Sequence, residues 1–118
     1  MNNREKGNVY EEAAASFLIS KKCVILERNY RRKTGEIDLI VWETEKSCLV
    51  FVEVKYRKSR RAGVPEEAVN PGKQARIRRT AEWYLKERKI ANTVRCRFDV
   101  VSIENGSIRW IRNAFGAF

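Results

Sequence analysis

Apolar and polar positions follow two rhythms along the chain, and the changes between them mark the elements. From about Val9 to Ser20, Tyr10, Ala14, Phe17 and Leu18 recur at helical spacing, and the run of alanines from Ala13 to Ala15 favours a helix. Asn8, with Glu11 three residues on, has capping-box spacing. The segment CVILERNYR (23–31) then reads as a strand, Lys33-Thr34-Gly35 as a turn and GEIDLIVWE (35–43) as a second strand. A polar stretch from Glu43 to Ser47 turns the chain into CLVFVEVKYR (48–57), the strongest strand signal present, so 35–43 and 48–57 form an antiparallel hairpin. Residues 58–72 are basic and broken by Gly63, Pro65 and Pro71, which predicts a flexible arm with a short helical turn near Glu66 to Val69. A second helix starts near Pro71 or Lys73, runs to about Lys89 and buries Ile77, Ala81, Tyr84 and Leu85. RCRFDVVSI (95–103) and SIRWI (107–111) are strands joined through Asn105-Gly106. The order α-β-β-β-α-β-β predicts a single α/β domain over 1–118, one sheet covered by helices.

Strand alternation also brings chemistry together. In 35–43 one face carries Glu36, Asp38, Ile40 and Trp42; in 48–57 one face carries Leu49, Phe51, Glu53 and Lys55. With the turn centred between Glu45 and Lys46, Trp42 opposes Leu49, Ile40 opposes Phe51, Asp38 opposes Glu53 and Glu36 opposes Lys55. A slip of one residue would destroy that match of apolar with apolar and polar with polar. Two carboxylates on an otherwise apolar face repel unless a cation joins them, and hard carboxylate oxygens suit Mg²⁺ or Mn²⁺. The carbonyl of Val54 is a further candidate ligand. Lys55 is placed to orient a water and to stabilise charge developing on a phosphate. The structural alternative is a solvated salt bridge of Lys55 with Glu36 or Glu53. Valines on the opposite face (Val50, Val52, Val54) argue for a sheet covered on both sides, where charges have no cheap place.

Charge narrows the partners. Lys and Arg number 25 against 15 Asp and Glu, a net charge of +10, which favours a polyanion, and nucleic acid above other polyanions. Arg57, Lys58, Arg60 and Arg61 crowd the arm, and Lys73 and Arg76 the start of the second helix, close enough to Lys55 to hold phosphates. No zinc-finger or recognition-helix pattern is present, so structure-selective binding fits better than base reading. The absence of histidine removes imidazole metal sites and catalytic triads. The three cysteines include no CxxC pair and read as buried, reduced thiols. No apolar run is long enough to span a bilayer and the N-terminus has no signal core, so a cytoplasmic protein is expected. Asp99 is expected to have a structural use, and Trp42, Trp83 and Trp110 to pack, the alternative for the tryptophans being a stacking platform for bases.

The motifs GEIDLI (35–40), FVEVKYR (51–57), PGKQARI (71–77) and RFDVVSI (97–103), with GNVYEEAAASFL (7–18) and RNYR (28–31), resemble the UPF0102 or YraN-like family over nearly the whole chain. They are also similar to the restriction-endonuclease-like superfamily, in which an aspartate precedes Glu-x-Lys on the next strand, and to its archaeal Holliday-junction resolvases. The resemblance implies a restriction-endonuclease-like core with a mixed sheet of about five strands. It implies Asp38 and Glu53 as metal ligands and Lys55 as the catalytic lysine. Glu11 would match a first-helix glutamate that completes the site, and Gln74 a polar residue opening the helix after the motif. The superfamily's proline before the aspartate is Ile37 here. The activity implied is divalent-metal-dependent hydrolysis of DNA phosphodiesters, on branched DNA, by a homodimer. The alternative is a non-catalytic nucleic-acid-binding module with a vestigial metal site.

Overall fold

The computed structural model describes residues 3–57 and 69–116, with side chains described from residue 9 onward. Helix α1 (Asn3–Ser20) is followed by β1 (Cys23–Arg32), β2 (Gly35–Glu43), a 3-10 turn at Thr44–Lys46 and β3 (Cys48–Arg57). Helix α2 (Pro71–Glu87), β4 (Arg95–Glu104) and β5 (Ser107–Phe115) complete the order α-β-β-β-α-β-β. The five strands form one sheet in sequence order. All neighbours are antiparallel except β3 and β4, which run parallel with α2 in the crossover between them, so the sheet is mixed as expected.

One helix covers each face. Ala14, Ala15 and Leu18 of α1 pack on Leu39, Val41, Val50, Val52 and Val101. Ile77, Ala81 and Tyr84 of α2 pack on the other face, against Ile40, Leu49, Phe51, Phe98 and Val100. Helix α1 begins near Asn3 rather than at a cap on Asn8, because Arg4, Glu5 and Lys6 are good helix formers and extend it. The cap that the sequence pattern missed belongs to α2. The Asn70 side chain accepts a bond from the Lys73 N–H at 2.9 Å, and Pro71 takes the first helical position, where its missing N–H is harmless. Val69, assigned to the flexible arm from sequence, is instead buried in the core on the α2 side. The rest of that arm, residues 58–68, with the expected turn at Glu66 to Ala68, lies outside the described residues.

Strand β5 runs four residues past the expected Ile111. Arg112 and Asn113 interrupt its alternation, but a bulge absorbs them: Asn113 is left-handed (φ 53°) and its N–H bonds Asp99 Oδ1 at 2.9 Å. Phe115 then returns to pair with Phe98 and stack on it at 5.0 Å. Asp99 has the structural use expected. It is fully buried, receives two bonds of 2.8 Å from Arg97 and one of 2.7 Å from Trp110 Nε1, and Arg97 also bonds Glu43 at 2.7 Å. The thiols of Cys23 and Cys48 lie buried nearby; burial pushes Cys23 up to about 11, so it stays protonated. Among the described residues no helix is long and apolar enough to cross a membrane.

Candidate active site

The ladder between β2 and β3 starts at Glu43 with Cys48 and carries the expected apolar pairs, Trp42 with Leu49 and Ile40 with Phe51. It ends at Leu39 with Val52. Beyond that point the strands part, and the Val54 N–H donates to Asp38 Oδ2 at 2.8 Å in place of a backbone acceptor. A carboxylate thus fills the gap where the ladder opens. Strict alternation fails at the same place. Ile40 faces α2 and Leu39 faces α1, yet Ile37 also packs on the α2 side. On the neighbouring strand Asn29 takes a left-handed conformation (φ 51°). Glu36 therefore meets Asn29 Nδ2 at 3.2 Å and Arg31 at 3.1 Å, and the cross-strand pair expected between Glu36 and Lys55 is not formed. Period two holds only while the ladder does.

Glu53 is 8 % exposed. Its Oε1 lies 2.7 Å from Lys73 Nζ and 3.5 Å from Lys55 Nζ. Lys73, grouped with the phosphate-facing cations by sequence, reaches this site because Asn70 and Pro71 start α2 directly above it. Burial raises the Asp38 carboxyl to about 7; repulsion from Glu53 adds to this, as do Glu11 and Glu36, while the Val54 N–H works the other way. Burial pushes the Lys55 ammonium below its ordinary range, helped by the neighbouring Lys73 and opposed by Glu53. Burial also opposes the charge on Lys73, but Glu53 outweighs it and raises that group. Glu11 enters through Asn29, whose Nδ2 donates to Glu11 Oε2 at 2.9 Å as well as to Glu36.

Two groups here escaped sequence reasoning. Asn29 bridges Glu11 and Glu36, and its position in RNYR carries no sign of that. Ser102 of β4 pairs in register with Lys55 of β3, is fully buried, and among the described residues its Oγ has no hydrogen-bond partner. A buried hydroxyl without a partner is uncommon, and this one sits across the ladder from Lys55. Gln74 faces inward, with Nε2 donating to the Val69 carbonyl at 2.8 Å and Oε1 receiving Arg78 at 3.4 Å. Arg57 ends β3 in register with Glu104, and Arg76 is exposed on the first turns of α2. Lys58, Arg60 and Arg61 lie outside the described residues.

Among the described residues no group of three carboxylate, thiol or imidazole side chains stands ready to hold a metal ion. The carboxylates present are Asp38 and Glu53, the first bonded to the Val54 N–H and the second paired with Lys73 and Lys55. Two carboxylates are a donor set of the kind that holds Mg²⁺ or Mn²⁺ together with several waters. The upward shift of Asp38, caused first by burial and then by repulsion from Glu53, fits too, since a cation beside the two carboxylates would offset both.

Residues 10–103 match the family described as "Uncharacterised protein family UPF0102". A UPF0102 protein of Lachnoclostridium phytofermentans is 45 % identical over 118 residues, covering 100 % of this chain and 98 % of the relative. One of Neisseria gonorrhoeae is 42 % identical over 115 residues, 97 % of each chain, and one of Fusobacterium nucleatum is 39 % identical over 113 residues, 96 % of this chain and 92 % of the relative. The match runs through the site-bearing hairpin, α2 and β4 alike, and the chain belongs to the UPF0102 family.

Proposed function

We propose that this protein is a divalent-metal-dependent nuclease of the cytoplasm that hydrolyses DNA phosphodiesters, selective for branched structure rather than sequence. The observation that carries this reading is Asp38, held in the gap between β2 and β3 beside Glu53, with its carboxyl raised to about 7 and two lysines within reach of Glu53. Groups with strongly shifted ionisation gather at functional sites. Asp38, Glu53 and the Val54 carbonyl would hold Mg²⁺ or Mn²⁺, which when bound activates a water and polarises a phosphoryl oxygen. Hydrolysis forms a bond from the water oxygen to phosphorus and breaks one phosphorus–oxygen ester bond, the departing oxygen taking a proton. Lys55 orients the attacking water through Nζ and stabilises the charge that gathers on the phosphoryl oxygens. Glu11, through Asn29, and Gln74, through Val69, position the walls of the site. Arg57, Lys58, Arg60, Arg61, Lys73 and Arg76 hold the flanking phosphates. A homodimer, implied by the resemblance to junction resolvases, is checked by mass in solution.

A second reading, a nucleic-acid-binding module with a vestigial metal site, draws support from Lys73, whose ammonium already neutralises Glu53 at 2.7 Å. The test is cleavage of duplex, flap, four-way junction and single-stranded DNA with Mg²⁺ or Mn²⁺, by the wild type and by Asp38→Asn. The nuclease reading expects metal-dependent products that fall at least ~100-fold in the folded variant. Salt-sensitive binding with no products from any substrate supports the module instead.

A further inference from the structure

Sequence reasoning assigns Trp83 to packing, yet half of its surface is exposed, whereas Trp42 and Trp110 are partly buried. It lies on α2 ten residues beyond Lys73, about 15 Å along the helix at 1.5 Å per residue. Arg76, Arg79, Trp83 and Lys86 are all exposed and share one stripe at helical spacing, away from the buried Ile77, Ala81 and Tyr84. The stripe is not isolated. Gly35, at φ 148°, presses the turn between β1 and β2 against α2, where a side chain at this position would meet Thr80 Oγ1 at 3.4 Å. The Thr34 and Thr80 hydroxyls join at 2.7 Å, which carries Arg32 and Lys33 alongside the indole.

The indole consequently divides two hollows. One, of about 440 Å³, is lined by Arg32, Lys33, Trp83 and Glu87; the other, of about 160 Å³, by Thr34, Arg79, Glu82, Trp83 and Lys86. Their charge is positive. The Glu87 carboxylate is held by Arg32 at 2.7 and 2.9 Å and by the Tyr30 hydroxyl. Among the described residues, Lys33, Arg79 and Lys86 have no ion-pair partner, and Glu82 is the single uncompensated acid set against them. An exposed indole edged by unpaired cations is suited to an unpaired nucleobase, whose ring stacks while the adjoining phosphates meet the cations.

We propose that Trp83 is a stacking platform for an unpaired base of a DNA strand that leaves the Asp38–Glu53 site along α2, its phosphates lying on Lys33, Arg79 and Lys86. The proposal rests on the nucleic-acid reading above and deepens it: the substrate carries a single-stranded segment long enough to reach from the site to Trp83. The platform places the unpaired part of a branched substrate on the outer face of α2, and intact duplex has no base to offer it.

The experiment uses the full chain in EDTA, so that binding is read without hydrolysis. A fluorescein-labelled oligothymidine, a flap with a single-stranded arm and a blunt duplex are titrated against wild type, Trp83→Leu, Trp83→Phe and the double variant Arg79→Glu, Lys86→Glu. Expected are a loss of about tenfold in affinity for oligothymidine and flap in Trp83→Leu, retention within about threefold in Trp83→Phe, and unchanged duplex binding in both. The charge-reversed variant weakens binding and makes it less salt-dependent. Quenching of tryptophan fluorescence by oligothymidine in the wild type disappears in Trp83→Phe. Binding that Trp83→Leu leaves unchanged overturns the platform while leaving the nuclease reading intact. A wild-type dimer that Trp83→Leu dissociates overturns it in favour of a contact between two copies. No binding of any DNA by the wild type overturns the nucleic-acid reading itself.

Discussion

The two buried charge clusters, Glu43–Arg97–Asp99 at one end of β2 and Asp38–Glu53 toward the other, use the same residue types to opposite effect. In the first, cation and carboxylates are matched. Asp99 receives Arg97 through two atoms, Trp110 and the Asn113 N–H, and Glu43 takes both Arg97 and Arg112. Both arginine contacts hold Glu43 below the ordinary carboxylate range against the burial that would raise it. In the second, Lys73 and Lys55 meet Glu53 while Asp38 receives the Val54 N–H; burial, with repulsion from Glu53, pushes Asp38 up to about 7, and among the described residues Ser102 Oγ has no partner. A satisfied network of buried charge closes a bulge and fixes β5; a frustrated one waits for something from outside. The difference separates scaffold from site more clearly than burial alone, since Glu43 and Asp99 in one and Glu53 in the other are all buried.

Breaking the satisfied cluster should have the largest effect. Arg97→Ala leaves Glu43 and Asp99 buried without their main cation and is expected to cost about 3–5 kcal/mol in urea denaturation. Mutating the frustrated cluster should do the reverse. The native Asp38 carboxyl titrates near 7, above its ordinary 3.8, so the folded state holds a proton that the unfolded state has released between those values. Stability from this group therefore falls as pH rises from about 4 to about 7 and stays low above that. Asp38→Asn removes the titration, keeps an acceptor for the Val54 N–H, and should be more stable than wild type by ~1–3 kcal/mol at pH 8, with little difference at pH 4. Thermal melts of both proteins at the two pH values check it; a variant less stable than wild type at pH 8 contradicts the cost assigned to burying the Asp38 charge beside Glu53. Ser102→Ala, the smallest change, removes an unpartnered hydroxyl and should be neutral or stabilising by up to about 1 kcal/mol in the same melts. A loss of more than that would show that the hydroxyl already has a bond.

The register of the hairpin was legible because Trp42, Ile40, Leu49 and Phe51 sort by face, and a sheet packed against helices tolerates no slip. The same periodicity misplaced Glu36, because alternation was extended through Asp38, where the ladder ends and a side chain replaces a backbone acceptor. Asp38, Glu53 and Lys55 could be gathered from two neighbouring strands. Lys73 on Glu53 and Asn29 between two glutamates depend on how helices and a left-handed residue are packed, which no local pattern records. The stripe Ile77, Ala81 and Tyr84 told correctly which face of α2 is buried, and by the same token Trp83 fell outside it. Its assignment to packing followed residue type where helical position was the better guide.

Binding of Mn²⁺ by calorimetry tests the central claim most directly, since it asks whether the frustrated carboxylates accept a cation. Wild type should bind at a site that Asp38→Asn loses, more weakly at pH 6 than at pH 8. At pH 6 binding should release a proton from Asp38, seen as a heat that changes with the buffer. Equal affinity in wild type and Asp38→Asn, with no proton released at pH 6, would contradict the account.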